Sequence, residues 1–248
     1  MLSFFRKIRK SLFAAGSTGK YLLYAVGEIV LVVLGILIAL QVNNWNEHRK
    51  ERETEVKVLK EVVENLEANI NRLESMIERC ETDNEACDII MSTIGRALPY
   101  TDSLSPYFYY ALNPVDEGSF LSYVGYESLK NVGFEIIQDN QLKKEIINLF
   151  EGIYLDLRGK YDRIEKLSSP EVARFRRQYF LFHPDTVQQQ IGLKPIHYDS
   201  TMKDTRFESV LAELKGIRGW VRSTLKQSLH DTERVLQLIK DELGEPNV

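Results

Sequence analysis

The chain has 248 residues and a formal net charge of −4, unevenly spread: residues 1–20 carry +5 and residues 43–248 carry −8. An acidic main portion argues against a nucleic-acid-binding face, which needs clustered cations. About 200 residues follow the first 42, enough for one domain with its own core.

The basic segment 1–20 holds Arg6, Lys7, Arg9, Lys10 and Lys20 and no acid. Phe4, Phe5, Ile8 and Leu12 recur among these cations at helical spacing. The pattern suggests a short amphipathic helix on an anionic membrane surface, with a disordered basic tail as the alternative.

Tyr21 to Val42 follows, apolar but for Glu28 and Gln41. Its 22 residues make a helix of roughly 33 Å, matching a hydrocarbon layer of about 30 Å. Trp45 stands just beyond, where an indole favours the headgroups. A cleaved signal peptide fits less well, since Ala39-Leu40-Gln41 is a poor cleavage site and the apolar run carries a carboxylate. The expectation is an uncleaved signal-anchor. The cations before the span put the N-terminus in the cytoplasm and the large domain outside; with the resemblance set out below, that expectation becomes a bacterial inner membrane with the large domain in the periplasm.

Glu28 is the unusual residue. A charged carboxylate deep in lipid costs a few kcal/mol, relieved by protonation or by a partner on another helix. Gly27, Gly35 and Ala39 lie on nearby rows, with Gly35 and Ala39 in small-xxx-small spacing. Three roles follow for Glu28: an interhelical hydrogen bond within a homo-oligomer, a docking contact to another membrane protein, or proton or ion coupling. The partners implied are the bilayer and a second membrane helix.

Residues 43–80 read as a stalk helix. Val56, Leu59, Val63, Leu66, Ile70, Leu73, Ile77 and Cys80 form a heptad, with no Pro or Gly between Val42 and Ile94. β-branched residues at a with Leu at d suit a parallel coiled coil. Apolar residues such as Val62 and Met76 at g widen the stripe, which favours packing within the same chain.

Residues 81–248 read as a helical extracytoplasmic domain. Cys80 and Cys87 would lie about 10.5 Å apart on a straight helix, too far for a disulfide. A reversal at Thr82-Asp83-Asn84 would let them staple a hairpin; without one they are free thiols on one long helix. Segment 98–120 combines Pro99, Pro106, Pro114 and Gly118 with Tyr100, Tyr107, Phe108, Tyr109, Tyr110 and Phe120. These aromatics either plug one end of a bundle or, at Tyr107–Tyr110, line a ligand pocket or partner surface.

Gln141 to Leu167 and Phe207 to Leu243 show helical apolar faces, the second weakening at Ser228 and Thr232. Ser169-Pro170-Glu171 reads as a helix start, His183-Pro184-Asp185 as a helix end and 192–205 as loop. Gly216 and Gly219, beside Trp220, sit inside a helix. Strand-like alternation is not evident, so the predicted fold is all-α: a transmembrane helix, a stalk and an elongated bundle.

Chemistry-bearing motifs are sparse. The chain contains no HExxH, GxSxG, Walker loop or dinucleotide-binding turn. His183-Asp185 and His197-Asp199 are a weak zinc candidate with no recognised spacing. The expectation is a non-enzymatic protein with no catalytic, cofactor or metal residues: an interaction or scaffold module, with an extracytoplasmic ligand sensor or an ion-coupled accessory subunit as alternatives.

The head, "FFRKIRKSL" followed by "KYLLYAVGEIVLVVLGILIALQVNNWNE", resembles that of an uncharacterised bacterial membrane family known only as a domain of unknown function. "GYESLKNVGFEIIQDNQLKKEIINLFEGIY", residues 125–154, is similar to that family's second recurrent block. Glu28, Asn43, Asn44 and Trp45 match its head pattern. The resemblance implies a single-span inner-membrane protein with a helical outer domain, and brings no reaction or cofactor.

Overall fold

The structure, a computed structural model, describes residues 18–113, 121–185 and 190–244. The proposed amphipathic head helix, Pro114, Gly118 and Phe120 lie outside the described residues. The fold is all-α apart from one small sheet. By its contacts the chain divides into residues 1–55 and residues 56–248.

Helix α1 spans Thr18–Gly95 without interruption. Its stop is a left-handed turn at Ala97 (φ 48°). There the Leu98 amide donates to the Thr93 carbonyl at 3.2 Å and the Ala97 amide to Ile94 at 3.0 Å. Pro99 then bars resumption. The expected reversal at Thr82–Asn84 is absent.

In the first unit, the described large apolar residues of α1 are exposed, from Leu22 at 68% to Val42 at 60%. It is the one helix among the described residues long and apolar enough to cross a membrane, with a mean hydropathy of 2.5 over its best window.

In the second unit, the heptad face of α1 is buried within the chain rather than offered to a coiled-coil partner. Leu59, Leu66 and Leu73 are fully buried, and so are the g residues Val62 and Asn69. The wide stripe is what a bundle helix requires. Its neighbours are α3 (Val124–Val132), α4 (Asn140–Ile147), α5 (Tyr154–Tyr179) and α7 (Thr205–Leu243). A π-helical turn, Asn148–Ile153, joins α4 to α5. Three core segments follow one another along α1. Val58 to Leu66 meets Tyr126, Phe150 and Val235; Leu73 and Ile77 meet Leu157 and Leu225; Cys87 and Ile90 meet Phe108, Phe180 and Leu211.

Local chemistry sets the elements. Asp139 caps α4 by accepting from the Gln141 and Leu142 amides, and Asp204 caps α7 by accepting from Arg206. Gly244, at φ 70°, closes α7. The polar notch in α7 is filled: Thr232 meets the Tyr154 hydroxyl at 2.9 Å and donates to the Ser228 carbonyl at 2.7 Å. α3 sits on α1 through Gly125, where an added Cβ would come within 2.3 Å of the Glu61 carbonyl oxygen. Asn65 and Asn69, buried on α1, stitch that contact. Both donate to the Ser122 carbonyl, Asn69 accepts from the Ser122 amide at 2.7 Å, and Asn65 accepts from the Gly125 amide at 3.0 Å.

Three expectations are corrected. Pro170 lies inside α5 rather than starting a new helix; the helix runs on to Tyr179 despite the lost hydrogen bond, and Val172 just beyond it is buried. His183-Pro184-Asp185 is strand, not helix end: β1 (Phe180–Asp185) pairs antiparallel with β2 (Gln190–Pro195) in the register Phe180↔Pro195. The segment after residue 192, expected as loop, contains β2 and the short helix α6 (Tyr198–Met202). The Ile196 amide donates to Tyr179, so Pro184 falls at a position whose backbone faces away from β2, where its missing N–H costs no ladder bond.

Candidate functional site

Two features stand out, one in each unit. In the first, Glu28 is partly buried while its apolar neighbours are bare to the surroundings. A Cβ added at Gly27 or Gly35 would meet nothing within 4 Å, and Ala39 is exposed, so these small residues leave an open strip on the helix. Trp45, 67% exposed, follows the apolar run. Asn43 donates to Glu47 at 3.0 Å and Arg49 pairs with Glu53 at 3.4 Å, marking the change from apolar to polar side chains along α1.

In the second unit, the densest polar contact surrounds Arg218, in the middle of α7 and 1% exposed. Its guanidinium closes off the end of α2 (Ser105–Ala111). One terminal nitrogen donates to the carbonyls of Tyr110 at 3.2 Å, Ala111 at 2.9 Å and Asn113 at 2.5 Å. The other donates to the Asp83 carbonyl and the Cys87 sulfur, both at 3.2 Å. A cation at the carbonyl end of a helix is electrostatically well placed. The Asp83 carboxylate, on α1, is a looser partner: 3.7 Å from Arg218 Nε and 3.4 Å from the Asn113 amide. Its Oδ1 and Arg218 Nε make no hydrogen bond. Burial therefore wins over the ion pair, and the Asp83 pKa is pushed up to about 6 although Arg218 and Arg79 pull it down.

The two cysteines flank this centre on one helix as free, buried thiols, so the hairpin disulfide is not formed. Cys87 donates to the Ala111 carbonyl at 3.5 Å. Burial pushes the Cys80 pKa up to about 11 and raises that of Cys87, the wrong direction for a reactive thiolate.

Tyr107, Phe108, Tyr109 and Tyr110 differ in their surroundings. Phe108 is fully buried, 5.4 Å from the Phe180 ring and 6.4 Å from Phe207. Tyr109 and Tyr110 meet edge to face at 5.6 Å, and Tyr107 faces outward at 38% exposure. His197 is exposed at the start of α6, and the His183 side chain lies outside the described residues. Among the described residues no three His, Cys, Asp or Glu side chains gather as a metal site. An open groove of about 550 Å³ runs between α1 and α7, floored by Ile77 and Leu229 and edged by Glu74, Glu78, His230 and Glu233.

The sequence reading missed Arg218 and Asp83. The one available signal was a cation at a core position of α7, in line with Leu211, Leu214, Val221 and Leu225.

No curated protein and no solved structure matches the chain. A family model matches residues 28–166, from Glu28 through the first half of α5, taking in Asp83 and Gly125 but not Arg218. The chain belongs to DUF6090, a family of unknown function.

Proposed function

We propose that the protein is a membrane-anchored, non-enzymatic interaction module. The apolar part of α1 lies in a bilayer, the basic head stays in the cytoplasm, and residues 56–248 form a helical scaffold on the periplasmic side. Glu28, with the strip Gly27, Gly35 and Ala39, contacts a second membrane helix, from another copy or another protein. The observation that carries this reading is the apolar stretch itself. Leu22, Leu23, Val26 and a near-continuous run from Ile29 to Val42 are exposed, whereas the large apolar residues of the second unit mostly form its core. Such a surface suits lipid and not water.

The test is oxidative crosslinking of Gly35→Cys in native membranes, with mild-detergent co-purification of the same protein. A crosslinked homodimer, or a heteromeric adduct that co-purifies, is expected. Glu28→Leu should weaken that adduct and Glu28→Gln should retain it, since glutamine still hydrogen-bonds. An anchor that stays monomeric and alone in both measurements refutes the reading. Normal assembly with lost function in Glu28→Gln would move Glu28 to ion coupling.

A further inference from the structure

We propose that Asp83 is a proton-operated fastener: uptake of one proton by its carboxyl tightens the seat of α2 between α1 and α7.

The argument begins with which charges the centre satisfies. Arg218 is met by the carbonyls of Asp83, Tyr110, Ala111 and Asn113 and by the α2 helix end, so its cation is stabilised without the carboxylate. Asp83 is served poorly. One oxygen has no partner, and the other has only a 3.4 Å contact from Asn113 and a 3.7 Å approach to Arg218 Nε. At 4% exposure, water cannot make up the difference. A neutral carboxyl needs less solvation and brings a hydrogen that can use an acceptor in the same space. The centre is therefore shaped for the acid more than for its anion.

The other titratable groups facing it do not reverse that preference. Arg79, on the same helix, and Arg218, on α7, favour the anion, and burial outweighs both. Cys80 and Cys87 stay protonated over the physiological range. Arg222 of α7 and Tyr161 of α5 bear on Cys80. Asn113 is uncharged, and the helix end offers only carbonyls.

The direction of the linkage follows. An acid whose folded pKa lies above its unfolded value gives stability that is complete below the unfolded value. That stability is lost as pH rises through the folded one. For Asp83 the window runs from about 3.8 to about 6. Opening that exposes Asp83 should become easier by roughly a hundred-fold across it. The fastener would thus hold best in acid and be loosest at neutral pH.

The experiment is hydrogen–deuterium exchange of the full-length protein in detergent, read by mass spectrometry over pH 4–7.5 and corrected for intrinsic exchange. In the unmodified protein, peptides covering 105–113 should be best protected near pH 4 and lose protection through about pH 6. Asp83→Asn, which cannot ionise, should flatten that dependence and exchange more slowly than the unmodified protein at pH 7. Corrected protection of 105–113 that is constant or rises with pH in the unmodified protein overturns the proposal, whatever the variant does. So does Asp83→Asn retaining the full pH dependence.

Discussion

Replacing Arg218 with methionine tests whether the buried centre is as dry and as dependent on one side chain as the structure indicates. Methionine keeps much of the aliphatic volume and removes every donor. The Tyr110, Ala111 and Asn113 carbonyls and the Asp83 carboxylate then stay buried without their cation. Removing one partner of a buried pair costs about 3–5 kcal/mol, and each orphaned carbonyl adds about 1–3 kcal/mol where the site cannot relax. These terms overlap, so a total of about 4 kcal/mol is the expected loss at pH 7. For a folded unit of this size that corresponds to a fall in Tm of about 8–16 °C. Urea unfolding of the full-length protein in detergent, followed by far-UV circular dichroism, measures it. Arg218→Lys should recover part of the loss, because an ammonium restores the charge but not the planar fork. Lys226→Ala serves as the contrast: its ion pair with Glu81 is solvent-exposed on both sides, and the change should cost under about 1 kcal/mol. A loss below about 1 kcal/mol for Arg218→Met would show that water reaches these carbonyls and would refute the reasoning.

Two further changes probe other points of the fold. Gly125→Ala places a methyl group against the Glu61 carbonyl and the Val62 Cα, backbone atoms that cannot swing aside. It should destabilise by about 3 kcal/mol, displace α3 from α1 and raise exchange at residues 121–132; an unchanged urea midpoint would contradict the close approach. Ala97→Gly acts in the opposite direction. Relief of the left-handed backbone at φ 48° should outweigh the added freedom of the unfolded chain, a net gain of about 0.5–1 kcal/mol in the same urea assay.

The helices were legible where a wide apolar stripe ran for several turns. Val62 and Met76 at the g positions already argued for packing within the chain; Val62 is fully buried and Met76 packs against the core. Ser228 and Thr232 read as a weakening of α7 because a sequence does not display the Tyr154 hydroxyl waiting across the bundle. Turn-forming Thr82, Asp83 and Asn84 suggested a reversal, but α1 runs through them, with Cys80, Asp83, Ala86 and Cys87 buried on one helical face against the bundle. The sheet escaped notice because Phe180, Leu181 and Phe182 are all apolar while Phe180 is buried and the other two exposed, masking the alternation. Pro170 and Pro184 were read as punctuation by local rule; Pro184 sits where its missing donor costs no ladder bond, whereas α5 runs through Pro170 at the loss of one.

That accommodation at Pro184 bears on how copies of this domain can meet. A strand margin invites another chain to zip alongside it, and among the described residues β1 pairs with β2 alone. Proline has no backbone N–H to give an incoming strand, so sheet extension at that position would lose a hydrogen bond. A second strand laid along β1 would therefore leave one of its own carbonyls without a donor opposite Pro184.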